Sequence, residues 1–291
     1  MAKIQSVLVI GGTGFIGAPL VAELIRRGVE RVSVSHTEPL TSAAPSSALY
    51  YRVDAGSSDI DALVASHDAI ALLIQPNEAV TKNILKSIAK HGGKHLLYTS
   101  TTLLYRGGGE AQKENAPLQA VTAYEKLKMR EEKLIAGAAH GTTRITIARL
   151  GNVYGDVRNK GVLGHAFRAL FTGGSLEVRG GSRVRDYIFV DDVVLALATL
   201  VLSPSAKALE YINVSTGVGT TTDQLLSTLE KVVGKSLSRT EGNAGIDTES
   251  IIADNAKLVK RVGMPAHDVK KGLKRMHERF RAWYDFSTTN V

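Results

Sequence analysis

Short apolar runs alternate with helical periodicity through the first half of the chain. Apolar residues at helical spacing predict helices over 15–27 and 80–90, with Gly28 ending the first of them. Strands are predicted at 7–10, 32–35, 69–74, 95–98 and 145–148. Because the helices that connect parallel strands cover both faces of their sheet, this alternation predicts an α/β fold built on a doubly wound parallel sheet.

The second half of the chain departs from this regular alternation. Short strands are expected at 188–190 and 211–214, separated by helical stretches. We therefore predict a first domain over 1–155 and a smaller C-terminal lobe over 156–291. Segments around 183–215 are expected to return to the first domain.

The charge and composition of the chain exclude several classes of protein. Its formal net charge is +8, but the basic residues are scattered, so we expect a phosphate-bearing small molecule rather than nucleic acid as its partner. The absence of cysteine excludes disulfides, thiolate metal sites and a cysteine nucleophile, and no other metal site is predicted. No apolar stretch approaches the ~20 residues of a membrane helix, and the run at 7–10 breaks into glycines too soon for a signal peptide. A cytoplasmic location without a membrane partner is the expectation.

A glycine-rich turn at 11–17 separates the first predicted strand from the first predicted helix. Glycines allow a tight turn and a close approach of the backbone to a pyrophosphate, and the N-terminus of the helix supplies N–H groups and a positive dipole end. A strand before the turn and a helix after it are the context that this chemistry requires. The turn therefore predicts a Rossmann-type dinucleotide site. Its cofactor-binding residues in this turn are predicted to be Gly11, Gly14, Phe15, Ile16 and Gly17.

The end of the second predicted strand bears on the choice of dinucleotide. A carboxylate at this place would bind the ribose hydroxyls of NAD and repel the extra phosphate of NADP. This chain has Ser35, His36 and Thr37 instead, so no carboxylate opposes NADP and no arginine clamp favours it. NAD and NADP both remain open as the cofactor, with His36 among the residues expected to contact it.

Tyr124 and Lys128 stand four residues apart and are predicted to share one face of a helix that runs from about Ala123 to Ala138. A free phenol has a pKa of about 10 and is a poor base at neutral pH. A nearby ammonium group and a positively charged nicotinamide ring would both favour the phenolate. We therefore expect Lys128 to lower the pKa of Tyr124 and to hold the ribose of the cofactor.

Several segments together resemble the extended short-chain dehydrogenase/reductase family, and within it the NAD-dependent epimerases and dehydratases. The segments that carry the resemblance are GGTGFIG at 11–17, YTSTTLLY at 98–105, YEKLK at 124–128, RLGNVYG at 149–155 and RDYIFVDD at 185–192. The resemblance implies that Tyr124 and Lys128 are catalytic and that the hydroxyl of Thr101 hydrogen-bonds the reacting carbonyl or alcohol. It further implies that Asp54 lies near the adenine and Asn152 contacts the substrate. By the same resemblance, Arg185 meets a substrate phosphate, a task that suits a guanidinium group.

One departure from the family pattern narrows the function. Dehydratases of this family usually carry Asp-Glu directly after the threonine, where this chain has Thr102 and Leu103, so dehydration is disfavoured. The leading hypothesis is an NAD(P)-dependent epimerase-type enzyme that acts on a nucleotide sugar through a transient keto intermediate, with the C-terminal lobe binding the substrate. One alternative is an NADPH-dependent ketoreductase of a keto-sugar nucleotide or another small carbonyl compound. A non-enzymatic relative that binds nucleic acid is the other.

The resemblance also implies a homodimer. Relatives commonly pair the helix that carries the catalytic tyrosine with its own copy and with the preceding helix, which forms a four-helix bundle around a two-fold axis. Arg130, Glu131, Glu132 and Lys133 are expected on the exposed face of this helix. Such a charge run equally suits the solvated surface of a monomer.

Overall fold

The computed structural model describes residues 3–37, 40, 45–156, 161–242 and 250–289. Strands and helices alternate along most of this length. The strands are β1 (Ser6–Ile10), β2 (Arg31–His36), β3 (Leu49–Arg52), β4 (Ala69–Leu72), β5 (His95–Thr101), β6 (Arg144–Leu150), β7 (Asn152–Tyr154), β8 (Ser175–Arg179), β9 (Val184–Phe189), β10 (Leu209–Val214), β11 (Gly219–Thr221) and β12 (Ser238–Gly242). The helices are α1 (Gly17–Arg26), α2 (Ile60–Ala65), α3 (Glu78–His91), α4 (Ala123–Gly137), α5 (Val162–Thr172), α6 (Val190–Leu202), α7 (Thr222–Val233), α8 (Ala256–Arg261) and α9 (Val269–Thr289).

Seven of these strands form one parallel sheet in the order β10-β6-β5-β4-β1-β2-β3. The chain adds β2 and β3 on one side of β1, then crosses to β4 and continues on the other side. Residues of β1 alternate between two cores: Val7 and Val9 pack with α1 and α6, whereas Leu8 and Ile10 pack with α2, α3 and α4. Both faces of the sheet are thus covered, and the predicted α/β fold with a doubly wound, Rossmann-type parallel sheet is confirmed.

The C-terminal part of the chain builds a smaller lobe around a third core. Helices α5, α7 and α9 contribute much of its apolar content, and the rings of Phe167 and Phe280 stack with their centroids 4.6 Å apart. The lobe carries two short sheets, one with the order β11-β9-β7 and one that pairs β12 with β8. After β9 the chain leaves this core, since α6 packs with α1 and β10 pairs with β6 at the edge of the main sheet.

Several boundaries differ from those predicted from the sequence. The first helix begins at Gly17 because the glycine-rich turn occupies 11–16, and it ends before Gly28, whose φ is 73°. The strand expected at 188–190 is the end of β9, and Val190 already belongs to α6. The periodicity did not reveal β3, α2, β8 and β12, because these elements are short and all but α2 are largely exposed.

The helix α4 begins and ends close to where the sequence predicted. Thr122 caps its N-terminus by accepting a hydrogen bond from the backbone N–H of Glu125 at 3.2 Å. The Glu125 carboxylate in turn accepts from the backbone N–H of Thr122 at 3.0 Å, which completes a capping box. This pair of contacts fixes the first turn of α4, on which Tyr124 lies.

The expected exposure of the charge run on α4 is wrong for its two glutamates. Glu131 is 0% exposed and Glu132 is 3% exposed, whereas Arg130 and Lys133 do face solvent. The carboxylate of Glu132 accepts hydrogen bonds from Nε and Nη2 of Arg149 on β6, at 3.0 and 2.7 Å. A buried carboxylate needs such a partner, and residues of the neighbouring strands supply it here.

Candidate active site

A groove follows the carboxyl ends of the main-sheet strands and continues into the C-terminal lobe. Four adjoining cavities of about 270, 380, 790 and 710 Å³, counted from the end of β2, make up this groove. Neighbouring cavities share lining residues: Gly11 joins the first to the second, Tyr124 the second to the third, and Asn152 the third to the fourth. Because parallel strands end at the same edge of a sheet, residues far apart in the sequence meet along this groove.

The glycine-rich turn forms the wall between the first two cavities. Gly11 has a φ of 85°, and a Cβ atom at this position would lie 2.4 Å from the carbonyl oxygen of Leu73. A Cβ at Gly17 would lie 2.1 Å from the carbonyl oxygen of Gly11, so α1 packs directly against the turn. No side chain caps the N-terminus of α1, where Ile16 is the first flanking residue. This end of the helix is therefore suited to an anionic group, as the sequence predicted.

The first cavity lies at the ends of β2 and β3, with Ser35, His36 and Asp54 among its lining residues. The Asp54 Oδ1 atom accepts a hydrogen bond from the backbone N–H of Gly56 at 2.8 Å. The ring of His36 meets that of Tyr50 edge-on, with a centroid distance of 6.2 Å. His36 and Asp54 thus line the same cavity, and both were predicted from the sequence to contact the cofactor.

Tyr124 and Thr101 line the third cavity together. Tyr124 keeps 37% of its surface exposed, and Thr101 is buried, with its Oγ1 accepting a hydrogen bond from the backbone N–H of Leu103 at 3.2 Å. Burial raises the pKa of Tyr124 above its usual value, and the negative charges of Glu131 and Glu125 raise it further. Lys128 is not among the groups that shift this pKa, so its expected lowering by Lys128 and the nicotinamide ring stays a prediction.

The side chain of Lys128 donates its hydrogen bonds to groups other than the Tyr124 hydroxyl. Its Nζ donates hydrogen bonds to three protein oxygens: the carbonyl of Thr99 at 2.9 Å, the hydroxyl of Tyr98 at 3.1 Å and the carbonyl of Ile74 at 3.2 Å. Lys128 lines the second cavity beside Tyr124, yet it is 3% exposed. Burial lowers the pKa of Lys128 to about 8, against the opposing charges of Glu131 and Glu132.

Ser100 is a candidate site residue that the sequence reasoning missed. It is 4% exposed and lines the second cavity with Tyr124 and Lys128, and its Oγ has no hydrogen-bond partner among the described residues. A buried hydroxyl without a partner is costly, so a polar group of a bound molecule fits this place. The signal in the sequence was its position beside Thr101, in a strand end rich in hydroxyl groups.

The fourth cavity is basic. The side chains that give it this character are His165, Arg168, Arg179, Arg183 and Arg185. Among the described lining residues Glu177 carries the one carboxylate, and Arg179 pairs with it at 3.0 Å. Such a cavity is suited to phosphate groups, because guanidinium groups bind them with charge and with directed N–H groups.

The short strands of the lobe bring Asn152 and Arg185 to this basic cavity. Asn152 on β7 pairs with Tyr187 on β9, two residues beyond Arg185. Asp186 anchors β9 by accepting hydrogen bonds from the backbone N–H groups of Thr216 and Gly217 at 2.9 and 2.8 Å. The two residues predicted to contact a substrate thus line the same cavity.

The described ranges hold no cluster of three or more histidine, cysteine, aspartate or glutamate side chains arranged to bind a metal ion. The same ranges include no helix with the length and apolar character needed to span a membrane.

Comparison with known proteins shows which family and which enzymes this chain is similar to. The sequence profile of the NAD dependent epimerase/dehydratase family matches residues 7–215. UDP-glucose 4-epimerase of Azospirillum brasilense is 26% identical, over 92% of this chain and 90% of its own length. The structure of UDP-glucose 4-epimerase from Thermotoga maritima with UDP-glucose is 25% identical and superposes with a TM-score of 0.85, over 96% of this chain and 99% of that one. UDP-glucuronic acid 4-epimerase from Bacillus cereus, in complex with UDP-glucuronic acid and NAD, has the same fold: the TM-score is 0.85 at 19% identity, over 96% and 100% of the two chains.

The tight contact at Gly17 gives a test of the dinucleotide site. In Gly17→Ala the new methyl group would press on the carbonyl oxygen of Gly11, and overpacking of this kind costs roughly 1–3 kcal/mol. Because the turn must open to accommodate it, we expect NADH to bind about tenfold more weakly or worse, as measured by fluorescence titration. Gly137→Ala on α4, where nothing lies within 4 Å, is the matched control. Parental affinity in Gly17→Ala would show that the turn does not hold the dinucleotide.

Proposed function

Since the chain belongs to the NAD dependent epimerase/dehydratase family, we propose that it is an NAD-dependent epimerase of a nucleotide sugar. The observation that carries this proposal is the continuity of the groove from the glycine-rich turn, past Tyr124, to the basic cavity of the C-terminal lobe. A dinucleotide at one end and a nucleotide sugar at the other would meet beside Tyr124, which lines the second and third cavities. The relatives named above, which act on UDP-sugars, support this choice of substrate class.

The first two cavities fit a dinucleotide. His36 and Asp54 would contact its adenosine portion and Lys128 its nicotinamide-side ribose, once the cofactor takes one of the hydrogen bonds that Lys128 now donates to the protein. NAD, when bound, supplies a hydride acceptor that can return the hydride to the opposite face of the sugar carbon. Ser35 and His36 leave room for the extra phosphate of NADP as an alternative. The residues that would hold the pyrophosphate are Gly11, Gly14, Phe15, Ile16 and Gly17.

Tyr124 and Thr101 supply the proton chemistry of the proposal. Tyr124 would take the proton from a sugar hydroxyl and later return it, while the Thr101 hydroxyl orients the same oxygen. Because burial and nearby carboxylates raise the pKa of Tyr124, the phenolate must be favoured by positive charge that arrives with the cofactor. The third cavity, at about 790 Å³, gives a keto sugar space to turn over between the two hydride transfers.

The basic cavity would bind the diphosphate that links nucleotide and sugar. Arg185 is 6% exposed and Asn152 lies at the junction of the third and fourth cavities. Asn152 would contact the substrate near the reacting sugar, and Arg185 would bind a phosphate oxygen.

Removal of the Tyr124 hydroxyl tests the catalytic assignment. Tyr124→Phe keeps the ring and loses the proton-transfer group, so turnover is expected to fall by about 10²-fold or more while NADH affinity stays unchanged. Interconversion of UDP- and dTDP-sugars, followed by NMR with catalytic NAD, measures the turnover. Activity within a few-fold of the parent would refute the assignment, and consumption of one NADH per product molecule would identify a ketoreductase instead.

Substitution of Arg185 tests whether the fourth cavity binds the diphosphate of the substrate. If its guanidinium binds a phosphate, Arg185→Ala should weaken UDP binding about tenfold or more and leave NADH binding unchanged, since charge-assisted hydrogen bonds contribute ~1.5–3 kcal/mol. Isothermal titration with each ligand measures both affinities. Arg275→Ala, an exposed arginine paired with Glu278 on α9, is the control. Normal UDP affinity in folded Arg185→Ala would leave Arg185 with a structural role alone.

We further propose that the enzyme is a homodimer through α3 and α4. The exposed lysines and arginines on these helices are Lys82, Lys86, Lys90, Lys126, Arg130 and Lys133, of which Lys82 and Arg130 pair with Glu78. Since like charges would face each other across a two-fold axis, the dimer should be weaker at low salt and stronger near 0.5 M salt, about where screening removes most of the repulsion. Light scattering at both salt concentrations tests this, and a monomer mass at both would refute the dimer while leaving the catalytic proposal intact.

A further inference from the structure

The proposed chemistry makes no use of Glu131, although it is a completely buried carboxyl group one turn after Lys128 on α4. Its Oε1 accepts hydrogen bonds from the backbone N–H of Asn77 and from the Thr81 hydroxyl, both at 2.8 Å. Its Oε2 accepts from the hydroxyl of Tyr98 at 2.6 Å. The helix α3 and the strand β5 thus hold both oxygens of this carboxylate in place.

The Tyr98 hydroxyl links this carboxylate to Lys128. It accepts a hydrogen bond from the Lys128 Nζ at 3.1 Å while it donates to Glu131. The Nζ and the Glu131 Oε2 are 4.0 Å apart. The Nζ also lies over the Tyr98 ring, 4.6 Å from its centroid. With the two backbone carbonyls described above, every proton of the ammonium group has an acceptor.

A buried ammonium group needs a countercharge, and the described residues around Lys128 leave one candidate. Glu132, on the same helix, is bound through both oxygens by Arg149 of β6. Tyr98 on β5 and Tyr124 on α4 are neutral at physiological pH, because burial raises the pKa of each. Glu131 is therefore the nearby negative charge that no arginine neutralises.

We propose that Glu131 is a positioning residue of the active site, which acts through Tyr98 to hold Lys128 in place and to keep it charged beside the dinucleotide. Its part in turnover rests on the proposed function, whereas its effect on Lys128 does not. The pKa of Lys128, about 8 with the charges of Glu131 and Glu132 opposing burial, agrees with this assignment, because loss of the Glu131 charge would lower this pKa further.

The protonation of Lys128 can be measured directly. In protein labelled with ¹³C at lysine Cε, the signal that disappears in Lys128→Met identifies Lys128, and its chemical shift against pH gives the midpoint. We expect Glu131→Gln, which is nearly isosteric, to lower this midpoint by about one pH unit or more, a tenfold change in proton affinity. Glu125→Gln is the matched control, since Glu125 is 1% exposed on the same helix and glutamine also completes a capping box. An unchanged midpoint in folded Glu131→Gln would overturn the proposal.

A second variant covers the case in which Glu131→Gln does not fold. Tyr98→Phe keeps the ring over Lys128 and removes the linking hydroxyl, so a smaller downward shift of the same midpoint is expected, and no shift would again overturn the proposal. Circular dichroism establishes folding for each variant.

In the enzymatic assay the alkaline loss of turnover should move to lower pH in step with the Lys128 midpoint. Should the parent turn over no nucleotide sugar, the proposed function fails while the Lys128 titration still decides the role of Glu131.

Discussion

The contact between two glycines at the start of α1 is the constraint on which the groove depends. Gly17 packs so closely on the carbonyl of Gly11 that no side chain fits between them, and Gly11 itself lies against the carbonyl of Leu73 after β4. The N-terminus of α1 is thereby fixed where β1 and β4 lie side by side, the point at which the order of strands reverses. A crevice opens at such a reversal because the connections from neighbouring strands leave in opposite directions. The second cavity, with Tyr124 and Lys128 in its wall, occupies this crevice.

Buried ionised groups between α4 and the sheet fix the other wall of the groove. Arg149 pairs with Glu132, and Lys128 shares the hydroxyl of Tyr98 with Glu131. Pairs of this kind add little net stability over well-packed apolar residues, but removing one partner costs ~3–5 kcal/mol because the other charge is left buried. They therefore restrict the register of α4 against β5 and β6. Tyr124 lies one turn before these contacts, so its position at the junction of the cavities follows from them.

The sequence predicted the elements whose burial is regular and missed what depends on particular neighbours. The fully buried strand β1 was found because an apolar run is a local signal, and the helix α4 was found through the spacing of Tyr124 and Lys128. Glu131 and Glu132 were expected in solvent, since four consecutive charged residues usually mark an exposed face. Their burial requires Tyr98 and Arg149, which are distant in sequence. The short strand β3 lacks an apolar alternation, and its pairing with β2 is what makes it a strand.

For the candidate site, the motifs predicted which side chains meet but not their electrostatic state. Spacing placed Tyr124 and Lys128 on one helix face, and both do line the second cavity. The effect of Lys128 on the Tyr124 pKa could not be read from spacing, because it depends on where the Nζ points. In the folded chain the Nζ points toward Ile74, Tyr98 and Thr99.

The two ends of the groove attract anions by different means. At the glycine-rich turn the positive potential comes from a helix N-terminus, and Lys128, which lines the second cavity, is balanced by the buried Glu131. The fourth cavity instead carries four arginines and one carboxylate among its described lining residues, so positive side chains outnumber negative ones in its lining. Partial charges of a helix end act over about one turn, whereas an excess of full charges acts over roughly a Debye length. Under the proposed function, the arginines of the fourth cavity would attract the phosphates of a substrate from a distance, and the glycine-rich turn would select the dinucleotide by close fit. The fold thus brings together, around a single cavity, part of the positive charge that is scattered along the sequence.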